Sequence, residues 1–98
     1  MSYEIRFHEE AEMDLADSAL WYEFQRSGLG DEFLEELLLT IRSVQQHPFG
    51  FPIVHRGVRR ALIKRFPFGI FYRVEPEFIV IFAVMHASRH PLRWQSRM

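Results

Sequence analysis

His86, Arg89, His90, Arg93 and Trp94 fall within nine residues of a 98-residue chain, directly after an apolar run. Guanidinium groups offer charge-assisted forks to phosphates or carboxylates, imidazoles move protons near neutral pH, and an indole packs or stacks. Such a set could grip an anionic partner, or stabilise the charge that builds on a phosphate during cleavage. More cations precede it: Arg59 and Arg60 are neighbours, Lys64 and Arg65 follow, and Arg73 comes next. Adjacent residues on a strand point to opposite faces, so one of Arg59 and Arg60 must face away from the main core. Pro91 suits a first helical position, and a short helix after it would align Arg93 with Arg97. Spread over three segments, these cations predict a surface rather than a point.

Other chemistries find less support. A metal on His86 and His90 would need a helix and a third ligand, but Pro91 follows at once and no ligand sits nearby, so no metal and no cofactor are expected. Neither GxxxxGK[ST] nor GxGxxG occurs, which removes the backbone cradles for nucleotide phosphates. The many carboxylate pairs read as solvated helix faces rather than glycosidase-like acids. The chain has no cysteine, which excludes disulfides and thiolate catalysis and fits a reducing cytoplasm. No apolar run approaches the roughly 18 residues that span a bilayer, so a soluble, unexported protein is expected. Trp21 and Tyr22 are expected to pack between helix and sheet.

The net charge of −1 conceals an asymmetry. Residues 1–47 hold eleven acids against three arginines, a balance of −8, and residues 48–98 hold nine bases against Glu75 and Glu77, a balance of +7. Either the acidic part neutralises the basic part within one fold, or one basic surface awaits an anionic partner.

Positioning these cations falls to a small set of elements. Tyr3, Ile5 and Phe7 alternate with Glu4 and Arg6 as in a strand with one wet face. From residue 8 to 26 Ala11, Leu15, Ala19 and Tyr22 recur at helical spacing, and "SGLG" breaks the pattern. A second helix is predicted over 31–46, with Phe33, Leu34, Leu37, Ile41 and Val44 on one stripe and acids in its first turns. Residues 58–63, 69–74 and 78–85 read as strands, and "FIVIFAVM" is apolar on both faces, as in a strand covered on each side. One α+β domain over residues 1–98 is predicted: a helical hairpin on a small, antiparallel-rich, four-stranded sheet in the order β-α-α-β-β-β.

That order and three blocks, "ALWYEFQRSGLGDEFLEEL", "RRALIKRFPFGIFYRV" and "IVIFAVMHASRHPLRWQSR", resemble the RelE/ParE toxins of bacterial type II toxin–antitoxin modules. The resemblance runs from Ile5 to Arg97, and its specific parts are "WYE.Q..GLG..F" and "AV.H..R.P..W..R". It implies a cognate antitoxin that wraps and neutralises the chain, together with a cellular target. RelE-like members cut mRNA on the ribosome, and here that role would fall to Arg59, Lys64, Arg73, His86 or His90, and Arg89. The chain departs from the RelE-like pattern, with Gly69 where an arginine tends to precede "xxY", and Arg93 or Trp94 in place of a C-terminal tyrosine. The resemblance therefore points to the ParE-like branch, associated with inhibition of DNA gyrase by binding. Arg59, Arg60, Lys64, Arg65, Arg73, Arg89, Arg93, Trp94 and Arg97 are the candidate contacts to target or antitoxin, Trp94 as a packed anchor. A degenerate, non-toxic interaction module is the third reading.

Overall fold

Three acids in the first turn, Glu9, Glu10 and Glu12, favour a helix start immediately after the first strand. A computed structural model, which describes residues 3–89 and 91–98, places that strand, β1, at Glu4–Phe7 and the helix, α1, at Glu9–Gln25. Helix α2 follows at Leu29–Gln46. Between them Gly28 adopts φ 90°, which an L side chain rarely tolerates. Gly30 is required for a different reason, because a Cβ there would lie 2.6 Å from the Ala19 carbonyl oxygen where the helices cross. Glu23 closes the corner: its carboxylate accepts the N–H groups of Gly28 at 3.0 Å and Gly30 at 3.1 Å, satisfying donors at the start of α2. The "WYE.Q..GLG" block thus encodes a helical hairpin.

The sheet has five strands, one more than expected. The additional strand, β2, is Ile53–His55, followed by β3 at Val58–Leu62, β4 at Phe68–Val74 and β5 at Phe78–His86. β2 is only three residues long and lies in a stretch rich in proline and glycine; it forms because Arg56 and Gly57, at φ 40° and 81°, fold it back tightly on β3. The order is β1-β5-β4-β3-β2, with β1 parallel to β5 and the remaining pairs antiparallel. A single turn, α3 at Leu92–Gln95, ends the chain. Among the described residues no helix is long and apolar enough to cross a membrane.

β5 carries a bulge. Phe71 pairs with Ala83 but Tyr72 pairs with Ile81, so Phe82 is an extra residue on β5. The insertion shifts the alternation of faces. Ile79, Ile81 and Val84 join the core beneath the helices, whereas Val80, Phe82, Ala83 and Met85 turn to the other face. Both faces of β5 are buried, as its continuous apolar run demands.

The helix side is filled by the predicted stripes: Ala11 of α1 and Phe33, Leu37, Ile41 and Val44 of α2 are buried, with Leu15, Ala19, Tyr22 and Leu34 packed against them. Tyr22 and Trp21 part company. Tyr22 stacks on Phe33 at 5.2 Å and meets Phe66 edge-on at 4.8 Å, as expected of a packing residue. Trp21, about 100° further round the helix, is 57% exposed, contrary to its expected burial. Tyr72 is buried, donates to the Pro48 carbonyl at 2.7 Å, and has its pKa pushed up to about 12 by that burial.

Candidate functional site

Four of the eight candidate cations, Arg59, Arg65, Arg73 and Arg97, are engaged in holding the fold together, while Arg60 Nε is buried without a hydrogen-bond partner among the described residues. Arg59 shares the helix-side face with Tyr72 and donates to the carbonyls of Phe51 at 2.6 Å and Phe49 at 3.1 Å, pinning the loop after α2. Arg60 lies opposite Phe71 on the other face, its stem close enough to Gly69 that a Cβ there would sit 3.1 Å from Arg60 Cγ. Arg65 reaches Glu32 at 2.9 Å; its hydrogen bond, helped by one from Arg26, holds the Glu32 carboxyl below the usual range. Arg73 is bound to Glu75 at 2.7 Å and lies over the Phe82 ring. Lys64 borders a separate groove, between α2 and the end of β3.

The C-terminal residues divide in the same way. Trp94 is only 4% exposed and stacks on Phe71 with centroids 4.8 Å apart. It anchors the chain's own C-terminal turn to the sheet and offers little surface to a partner. The side chain of Arg97 is 13% exposed and grips Asp14 with both terminal nitrogens, at 2.6 and 3.2 Å, and the pair lines a cleft together with Arg89 and Arg93. That pairing holds its guanidinium protonated beyond its ordinary range. The expected alignment of Arg93 with Arg97 on one helix fails, because α3 ends at Gln95.

Arg89 and Arg93 stand beside the clasped Arg97. Both are exposed, and neither makes an ion pair or a side-chain hydrogen bond to another described residue. With His86 they border a cleft of about 690 Å³ whose opposite wall is α1, through Asp17, Trp21 and Tyr22. His86 sits edge-on to Phe68 at 5.6 Å, and its Nδ1 accepts the Ser88 N–H at 3.2 Å. The Ser88 hydroxyl lies 2.7 Å from the same nitrogen, so Ser88 holds the ring at the cleft's border. His90 lies outside the described residues. No group of three or more potential metal ligands occurs among the described residues.

Arg59, Lys64, Arg73, His86 and Arg89, the residues a ribonuclease would use, are not gathered at one point. Arg59 is on the helix-side face, and Arg73 lies across from Val80 while His86 lies across from Phe68. Six residues of strand separate those two positions, roughly 20 Å at the usual rise.

Two residues that line the cleft escaped the sequence reading. Asp14 was hidden in an acidic helix, although it stands three residues after buried Ala11 and so on the inward stripe, where an acid needs a partner. Trp21 was paired with Tyr22 as core.

A hairpin of helices on a mixed sheet, with one face left to a C-terminal turn, defines the RelE/ParE class of toxin fold. The chain belongs to the ParE toxin family of type II toxin–antitoxin systems, whose family model matches residues 5–91. Among solved structures it is similar to the chromosomal ParDE toxin–antitoxin system of P. aeruginosa, with a TM-score of 0.77, 20% identity, and 87% of this chain and 96% of that chain covered. It also resembles the toxin–antitoxin complex RelBE2 of Mycobacterium tuberculosis, at a TM-score of 0.64 and 20% identity, with 88% and 99% covered. A copper-bound mutant toxin from Helicobacter pylori follows at 0.56 and 18%, with 88% and 96% covered. At such identities the likeness is one of fold. No curated protein matches the chain in sequence.

Proposed function

We propose that this ParE-family toxin acts by binding DNA gyrase rather than by cutting RNA, and that a cognate antitoxin neutralises it. The observation that carries the reading is the dispersal of the five ribonuclease candidates, set against Arg89 and Arg93, which have no ion pair among the described residues and border a cleft. Arg89 and Arg93 present oriented donors to an anionic patch of the target, with Trp21 as the apolar contact across the cleft. Ring and guanidinium groups of this kind are enriched among the residues that dominate interface energies. Neutralisation has its own surface: Met13, Leu20 and Phe24 of α1 are 60, 56 and 80% exposed, an apolar stripe that suits an amphipathic antitoxin segment ordering as it binds.

Purified toxin assayed in parallel for gyrase supercoiling and for ribosome-dependent mRNA cleavage, read by primer extension, decides between the modes. Loss of supercoiling with intact mRNA is the expected result. Cleavage with normal supercoiling would transfer the assignment to the ribonuclease, and a soluble, folded, harmless product would favour a degenerate interaction module.

A further inference from the structure

β1 pairs with β5 only as far as Phe7 opposite Ile81, and the next residue, His8, still donates its N–H to the Ile81 carbonyl at 2.9 Å before the chain turns into α1. Beyond that point no described strand lies beside β5 on this side, although β5 continues to His86. The unpaired stretch begins at the bulge, where ladder geometry is already disturbed. Backbone groups at an open edge need partners or water. Here side chains provide them. Asp14 Oδ2 accepts the Val84 N–H at 3.0 Å, Arg97 donates to the Phe82 carbonyl at 3.1 Å, and the two side chains are joined to each other at 2.6 Å.

This pair closes a strap. Arg97 lies three residues after Trp94, whose ring covers the second core on Phe71, so the C-terminal turn is fixed on the sheet's open face by an indole and at its edge by a guanidinium. Arg93, between those two anchors and the free Arg89, is carried by this turn. A single helical turn has no independent stability, so its position depends on the anchors.

We infer that Asp14 and Arg97 form a clasp that replaces the missing strand partner of β5 and holds the C-terminal turn so that Arg93 faces the cleft. Asp14, which with Arg97 also borders the cleft, is thereby a positioning residue that acts on the proposed target patch through the turn it holds; this second role rests on the gyrase-binding reading. The exposed Glu10, 3.2 Å from Arg97 Nε, is a peripheral contact whose removal leaves the clasp shut.

The test uses the full chain; for fluorescence alone it carries Trp21→Phe, so that emission reports Trp94, and gyrase inhibition is measured with Trp21 in place. Asp14→Ala, Arg97→Lys and Glu10→Gln are compared by amide hydrogen exchange and fluorescence, with circular dichroism to establish that each folds. Asp14→Ala is expected to lower protection of the Val84 amide by about tenfold or more, as expected for losing a part-buried hydrogen bond, and to red-shift Trp94 emission while protection at Ile79 holds. Arg97→Lys, which keeps the charge but loses the fork, should give a smaller shift in the same direction, and Glu10→Gln none; it also serves if Asp14→Ala fails to fold. Unchanged Val84 protection and Trp94 emission in both clasp variants would overturn the clasp. Gyrase inhibition separates the two roles: weakened inhibition by clasp variants with intact Arg89 and Arg93 supports positioning, and full inhibition with the clasp open overturns it. Full inhibition by Arg89→Ala/Arg93→Ala would instead overturn the functional reading and leave the clasp standing.

Discussion

The two faces of the sheet are built to different standards. The face under the helices is closed by α1 and α2, which supply an interlocking set of rings, Tyr22, Phe33, Phe66 and Phe68, and a buried tyrosine hydroxyl bound to Pro48. The other face buries Val58, Phe71, Phe82, Ala83 and Met85 beneath one residue from outside the sheet, Trp94. Stability therefore resides on the helix side, while the far face depends on a strap of one turn. Cations follow the same division: Arg59 is spent on loop carbonyls on the closed side, and Arg89 and Arg93 make no ion pair with any described residue at the strap.

Truncation should expose the difference. Phe33→Ala removes the centre of the ring cluster and is expected to cost about 3 to 5 kcal/mol, read as a lower urea midpoint for the whole chain. Trp94→Ala should cost about 3 kcal/mol, the low end for such a change, since the site opens to water and can relax. Its effect should be local, with amides of α3 losing protection while those within α1 and α2 keep theirs. Equal, global effects from both substitutions would erase the distinction between the faces.

A smaller effect sharpens it. Tyr72→Phe gives up one buried hydrogen bond, about 1 kcal/mol. It also changes the pH dependence. The Tyr72 pKa rises from 10.0 to about 12 in the folded chain, so above pH 10 the unfolded chain loses that proton first. Its contribution to stability is thus fully present below pH 10 and lost as pH climbs toward 12. Denaturation midpoints of the Phe variant should fall less steeply across that window than those of the parent.

Much of this division could be read in the residues. Helical spacing identified Phe33, Leu37, Ile41 and Val44 as buried in α2 but missed Thr40 and included half-buried Leu34, and the doubly apolar run at 78–85 required a strand covered on both sides. The bulge was not legible, because inserting Phe82 into an apolar run leaves the run apolar and only the register records it. β2 was missed because its three residues are too few for a period and owe their place to the turn behind them. In the site, charge alone did not separate structural from free arginines. Arg97 and Arg93 look alike in sequence, and only the position of Asp14, seventy residues before the strand it caps, tells them apart.

The central claim is that Arg89 and Arg93 serve the target rather than the fold. Replacing both by alanine should change unfolding free energy by no more than about 0.5 kcal/mol each, as is usual for surface sites without internal partners. The direct measurement is gyrase supercoiling in the presence of parent or Arg89→Ala/Arg93→Ala toxin, at matched concentrations of protein shown to be folded. Inhibition by the parent that is largely lost in the double variant is the predicted result. Equal inhibition by both would contradict the account.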